Sequence, residues 1–224
     1  MKKYTIHIVL LLIAFLYSPF LKGANPTSFN AVDYKQLYTE MKLANVVDYK
    51  AFKQAITGYN KLNGKSNHII TLIDFTKPST KERLYVFDIK QKKMLHSSHV
   101  SHGRNSGEKY ATSFSNKKGS YKSSLGFFMT ENTYHGKHGY SLILSGLEKG
   151  INDKAKERAI VIHSAAYANP CIIKNTGRLG RSQGCPALPQ AVSKSIIDTI
   201  KGGSLLFIYA NDEDYQKQSR FLSD

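Results

Sequence analysis

The chain contains two cysteines, Cys171 and Cys185, and eight histidines. A thiol and an imidazole suit nucleophilic acyl chemistry, in which a thiolate attacks a carbonyl and a neighbouring base generates the thiolate. Cys185 follows Gly184, which permits a tight turn, and precedes Pro189, where a helix is expected to begin. Amide N–H groups in such a turn, close to a helix start, favour a thiolate and later an oxyanion. Pro186 has no N–H, so the oxyanion donors are expected from Cys185, Gly184 or a residue elsewhere. An unperturbed thiol is only about a few per cent thiolate at pH 7, so a base matters. His163, at the end of the apolar run Ala159–Ile162, is the base best placed by context. Cys171 lies between Asn169-Pro170 and Ile172-Ile173, with no evident thiolate stabiliser. A Cys171–Cys185 disulfide closing a short loop is the competing reading of this pair.

The other histidines raise the question of zinc. His96, His99 and His102 fall at spacings of three, which puts His96 and His99 on opposite faces of a strand, where they do not share an ion. His135 and His138 flank Gly136-Lys137 in an expected hairpin, where exposed histidines are ordinary. No metal and no cofactor is expected.

These residues need a framework to position them. Residues 31–60 have a helical pattern, with Leu37, Met41, Val47, Phe52 and Ile56 at helix-like spacings, and predict an N-terminal appendage of one or two helices. From His68 the character changes. His68–Phe75, Arg83–Ile89 and Met94–Val100 read as three strands joined by short polar turns, an antiparallel meander. Further strands are expected at Leu125–Thr130, Tyr140–Leu144, Ala159–His163 and Ser204–Tyr209. One helix carries Val192, Ile196, Ile197 and Ile200 on a face and stops at Gly202-Gly203. The stretch 101–124 is rich in Gly, Ser, Asn and Lys, too long for a simple turn, and such loops tend to be functional. The expected fold is mainly β, an antiparallel sandwich or partly closed barrel, with the helical appendage before it and one helix after Cys185.

Composition bounds the function. The 224 residues carry 32 Lys and Arg against 16 Asp and Glu, a formal charge of +16, which favours an anionic partner. Apolar residues at 41% exclude a disordered chain. Lys2 and Lys3, then the apolar run Ile6–Leu16, then Gly23 and Ala24 read as a secretory signal over residues 1–24. An uncleaved anchor is the alternative, although the run is short for a membrane span. No cysteine lies near its end, so no lipoprotein anchor is expected. Export argues against nucleic acid, and no zinc-finger spacing or helical Lys/Arg stripe supports it. The expected organisation is a signal at 1–24, helices at 25–67, a catalytic domain at 68–210 and a polar tail at 211–224, as an exported monomer facing the periplasm or cell wall.

Ile162-His163-Ser164, the loop that follows, and Ser182-Gln183-Gly184-Cys185 resemble the signature of the YkuD-type L,D-transpeptidase catalytic domain. The wider run through His102–Gly107, Phe114-Ser115-Asn116, Ser124–Phe128 and Gly146-Leu147-Glu148 resembles its murein branch. The resemblance implies that Cys185 is the nucleophile and His163 its base, with backbone support at Gly184 and Ser182. It implies substrate contacts at Arg178, Arg181 and Ser164, the arginines meeting carboxylates of peptidoglycan stem peptides or standing as solvated loop charges. The implied reaction is thioester formation followed by a 3→3 cross-link, or L,D-carboxypeptidase action if water resolves the thioester. A wall-binding module with the Cys171–Cys185 disulfide is the non-enzymatic alternative. One departure stands out: Gln183 and Pro186-Ala187 occupy places where the family pattern has His before Gly-Cys and Asn or Arg soon after.

Overall fold

A computed structural model describes residues 33–223. The signal reading of residues 1–24 lies outside the described residues. Among those described, no helix is long and apolar enough to cross a membrane.

Helices α1 (Tyr34–Glu40) and α2 (Tyr49–Lys61) begin where the carboxylates of Asp33 and Asp48 cap free backbone N–H groups. The spaced apolar residues of α2 put Phe52, Ala55, Ile56 and Tyr59 on one buried face. Gly58 lies on that face as well. A Cβ there would come within 2.2 Å of the Phe127 ring, so the missing side chain lets the helix approach the sheet.

The meander forms as expected. Strands β1 (Ile69–Asp74), β2 (Leu84–Asp88) and β3 (Lys93–Ser98) pair antiparallel in sequence order. Strands β4 (Gly126–Gly136), β5 (Gly139–Gly146) and β6 (Val161–Ser164) form a second antiparallel set. Two short segments follow, α3 (Ile173–Thr176) and the two-residue strand β7 (Ala187–Leu188). Helix α4 (Gln190–Ile200), strand β8 (Leu205–Tyr209) and helix α5 (Glu213–Gln218) complete the chain.

β8 joins the two halves, antiparallel to β4 and parallel to β1. β7 lies parallel to β6, so the eight-stranded sheet is mixed, in the order β3-β2-β1-β8-β4-β5-β6-β7. β8 is buried at every position, as expected of a central strand with both faces covered. Helix α4 touches β1 in one half and β5 and β6 in the other, so the sheet curls around it.

The two edges then almost meet. Just past β3, Ser101 bridges antiparallel to Ala187 of β7, and Gly103 bridges to Ser182. The partly closed barrel is therefore the form adopted. Helix α5 lies within the segment 211–224, and Tyr215 and Phe221 from that region are buried in the core. Tyr215 and Ser219 donate to the buried carboxylate of Glu148, which also accepts the Phe127 N–H.

Candidate active site

The seam that closes the barrel holds the loop that carries Cys185. Ser101 N–H donates to Ala187 O at 2.8 Å, Ser182 N–H to His102 O at 2.9 Å, and Arg104 N–H to Ser182 O at 2.8 Å. Cys185 lies between these anchors. Gly184 has φ +126°, a conformation costly for any side chain, and Lys122 O would stand 2.9 Å from a Cβ there. The Ser182 hydroxyl accepts from Gly184 N–H at 3.0 Å and donates to Cys185 O at 2.6 Å, clamping the turn from within. Ser123, also buried, donates to Gly184 O and accepts from Gly103 N–H.

His102 anchors this seam from the core. It is buried, with Nδ1 2.8 Å from the Arg83 guanidinium and Nε2 3.2 Å from Gly107 O. Burial and the neighbouring arginine hold its pKa down at about 4, so it is neutral. Arg83, fully buried, also donates to Val100 O and Lys77 O and lies over the Phe75 ring. His102 is therefore a structural element of the loop.

Cys185 is half-buried and its thiol donates to Ala159 O at 3.6 Å. Burial pushes the thiol pKa up, and the Val161 N–H and the Arg158 guanidinium pull against it. Helix α4 starts where expected, with Pro189 at its N-cap after the two-residue β7, and the groups that act on the thiol are the Val161 N–H and the Arg158 guanidinium. Arg158 is held by Ser115 O, Ser124 Oγ and Lys122 O and pairs with no carboxylate among the described residues. Its Nη2 would stand 3.4 Å from a Cβ on Gly184. Ala159 itself has φ +52°, an uncommon conformation for a residue with a side chain, at the point where its carbonyl meets the Cys185 thiol.

His163 is 2% exposed and paired in register with Ala187, two residues past Cys185. Its Nδ1 lies 2.8 Å from Ser164 O. A carbonyl only accepts, so Nδ1 carries the proton and Nε2 is the basic nitrogen. Burial first, and the nearby His138 second, lower its pKa below the ordinary imidazole value. Val161 and His163 alternate onto the same face of β6, and the side chains of Val161, His163 and Cys185 line one cavity of about 660 Å³.

The remaining expected residues divide. Ser182 and Arg181 line the cavity, whereas Ser164 contributes its carbonyl to the His163 ring. Arg178 and Arg181 both pair with Glu108, at 2.9 and 2.6 Å. Gly184 spends its N–H on Ser182, leaving the Cys185 N–H, which has no acceptor among the described residues, as the donor at the turn. The disulfide alternative is not realised: both thiols are free, and Cys171 is exposed on the 3-10 turn Pro170–Ile172.

Two contributors escaped the sequence reading. His138, expected as an ordinary exposed histidine, stacks on His163 with ring centroids 4.5 Å apart and 28° between planes. Arg158 had no motif to mark it; its proximity arises from the loop between β5 and β6.

Residues 43–209 match the family model of the YkuD-type L,D-transpeptidase catalytic domain. No curated protein matches the chain by sequence. Among solved structures, an L,D-transpeptidase from Mycobacterium smegmatis is 13% identical with a TM-score of 0.39, the match covering 64% of this chain and 59% of that one. L,D-transpeptidase 3 from Mycobacterium tuberculosis is 10% identical with a TM-score of 0.42, covering 64% and 62%. The helical cell shape determining protein Pgp2 from Campylobacter jejuni, as a single-residue variant, is 14% identical with a TM-score of 0.44, covering 70% and 53%. The chain thus spans less than two thirds of the length of the solved structures it matches.

Proposed function

The chain belongs to the L,D-transpeptidase catalytic domain family, and on that premise we propose that it is an exported cysteine acyltransferase acting on peptidoglycan stem peptides. The observation that supports this reading is the wall of the cavity, which Cys185 and His163 both line, with His163 Nδ1 engaged by Ser164 O and its Nε2 left as the basic nitrogen.

His163 Nε2 takes the Cys185 proton, and the thiolate attacks the amide carbonyl after the third residue of the stem. The tetrahedral oxyanion forms beside the Cys185 N–H. It collapses to a thioester as the terminal D-alanine leaves with the proton that His163 returns. An amine from a second stem then attacks the thioester, gives its proton to His163 and becomes the 3→3 cross-link. Lowered basicity keeps His163 neutral at pH 7, the form the first step needs. The raised thiol pKa means that the free enzyme keeps Cys185 largely protonated, so transfer to His163 is coupled to attack.

A purified tetrapeptide muropeptide incubated with the full chain, followed by product mass analysis, tests this reading. A cross-linked dimer with release of D-alanine is expected. D-alanine release without a dimer means that water resolves the thioester. No change in the muropeptide refutes the reading.

A further inference from the structure

The cavity is strongly biased in charge. Arg104, Lys118, Lys137, Arg158 and Arg181 line it against a single carboxylate, Glu157. The five cations are not equivalent. Arg181 is neutralised by Glu108 and also donates to Arg104 O and Gly107 O. Lys118 lies 4.0 Å from Glu157. Arg158 has its donors committed to the loop 115–124 and contributes charge without an open fork. Arg104 and Lys137 remain, both exposed and without a carboxylate partner among the described residues. Arg104 is fixed by its guanidinium lying 4.0 Å over the Tyr121 ring, which holds the fork at the cavity rim. Tyr121 adopts φ +53° at that point, so the loop backbone itself presents the ring. Lys137 sits at the tip of the β4–β5 hairpin, next to the His138 that covers His163.

Resting on the acyltransferase reading, we infer that the cavity discriminates in favour of stem peptides with free carboxylates over their carboxamide forms, and that Arg104 and Lys137 read that charge. Arg178 and Arg181 do not, because Glu108 already occupies them. A carboxylate offers Arg104 a two-oxygen acceptor, whereas a carboxamide offers one acceptor and places an N–H₂ donor against a cation. The excess positive charge in a concave site adds attraction for any anion, and the same peptide without the charge loses it.

The test separates this inference from the reaction itself. The full chain carries its own reference thiol, the exposed Cys171. Alkylation by iodoacetate and by the neutral iodoacetamide is followed at both cysteines by peptide mass. At low salt, the iodoacetate-to-iodoacetamide rate ratio at Cys185 is expected to exceed that at Cys171 by about tenfold. The excess should shrink in about 0.5 M salt. In the double variant Arg104→Gln, Lys137→Gln most of it should vanish, while Lys217→Gln on α5 leaves it unchanged. Equal ratios at the two cysteines, or an excess that survives the double variant, overturn the inference. In a second arm, tetrapeptides with free carboxylates and their carboxamides are compared as donors. The carboxamide should be about tenfold slower in kcat/KM, with the gap closing in the double variant. Equal turnover of both overturns the inference and leaves the acyltransferase standing. If neither peptide turns over while Cys185 still prefers iodoacetate, the reaction assignment falls and the anion preference stands.

Discussion

Replacing Ser182 by alanine should damage the site and the fold together. Its hydroxyl has one proton and spends it on Cys185 O, while its oxygen accepts from Gly184 N–H. Ser182 is 4% exposed, so water does not simply replace it. The substitution strands one buried carbonyl and one buried N–H, at about 1–3 kcal/mol each, and partial relaxation brings the expected loss to about 3 kcal/mol. With a urea m-value of about 2 kcal/mol/M, the unfolding midpoint should fall by about 1.5 M. An ordinary surface Ser→Ala change stays within about 0.5 kcal/mol. The second readout is the thiol. A turn displaced by an ångström misaligns the nucleophile, and turnover should drop by about a hundredfold. Iodoacetamide alkylation, which needs no alignment with a substrate, should change far less than turnover. A midpoint within about 0.3 M of the wild type would refute the claim that this hydroxyl clamps the turn.

The other predictions address the reaction, its protons and the core. Cys185→Ala should lose both turnover and the acyl-enzyme thioester, and Cys171→Ala should keep both; an acyl group mapping to Cys171 reverses the assignment. His163→Ala should slow acylation far more than it lowers the unfolding midpoint, which falls because a buried, hydrogen-bonded ring is removed; unaltered acylation removes it as the base. In the absence of substrate, alkylation of Cys185 should rise with pH through a midpoint above the ordinary thiol range, since burial outweighs Val161 and Arg158; a midpoint below that range contradicts the proton-coupled attack. For His102, held at about 4 in the fold, the unfolded chain binds a proton that the folded chain refuses. This group leaves stability unchanged with pH above about 6.5, where it is neutral in both states, and costs up to about 3 kcal/mol as pH falls towards 4. Asp74 and Glu148, raised by burial, oppose this slope above their unfolded values. The stability gap between the wild type and His102→Gln should therefore narrow from pH 7.5 to 4.5, and a constant gap would show that His102 does not titrate in this way.

Local pattern carried most of the strands. The runs at 68–75, 83–89 and 94–100 have β-branched or apolar residues between turn-forming polar ones, and each yields a strand within a residue or two of its expected limits. The parallel pairs lack such a signal. β1 and β8 are separated by most of the chain, and no spacing rule ties residues that meet only after α4 has crossed the sheet. β7 has two residues, too few for any alternation to register, yet it sets the distance between Cys185 and α4. Cys185, His163 and Gly184 stood out in the sequence because glycine before cysteine and histidine at a strand end each have a local physical reason, and the fold brings Cys185 and His163 to one cavity beside the turn at Gly184. Arg158 and His138 did not, since a lone arginine in a polar loop and a histidine at a hairpin tip have the same local pattern whether or not they meet a thiol or an imidazole in space.

Barrel closure and the placement of Cys185 rest on the same atoms. The strand edges meet through Ser101–Ala187 and Gly103–Ser182, and Cys185 sits between those two rungs. Opening the seam would therefore release Cys185, the proposed nucleophile, before it exposed the core beneath β1 and β8. Arg83 and His102 are buried polar groups that stabilise little by themselves, since their desolvation offsets much of what their hydrogen bonds return. Their retention makes sense if they fix the conformation of residues 100–104, because Val100 O, the His102 ring and Gly107 O are the acceptors they engage. An apolar pair of equal volume at 83 and 102 would pack as densely but would leave Val100 O and Gly107 O free to turn. The chain would then still fold as a barrel, with the residues that carry Ser182 and Cys185 no longer held to one geometry.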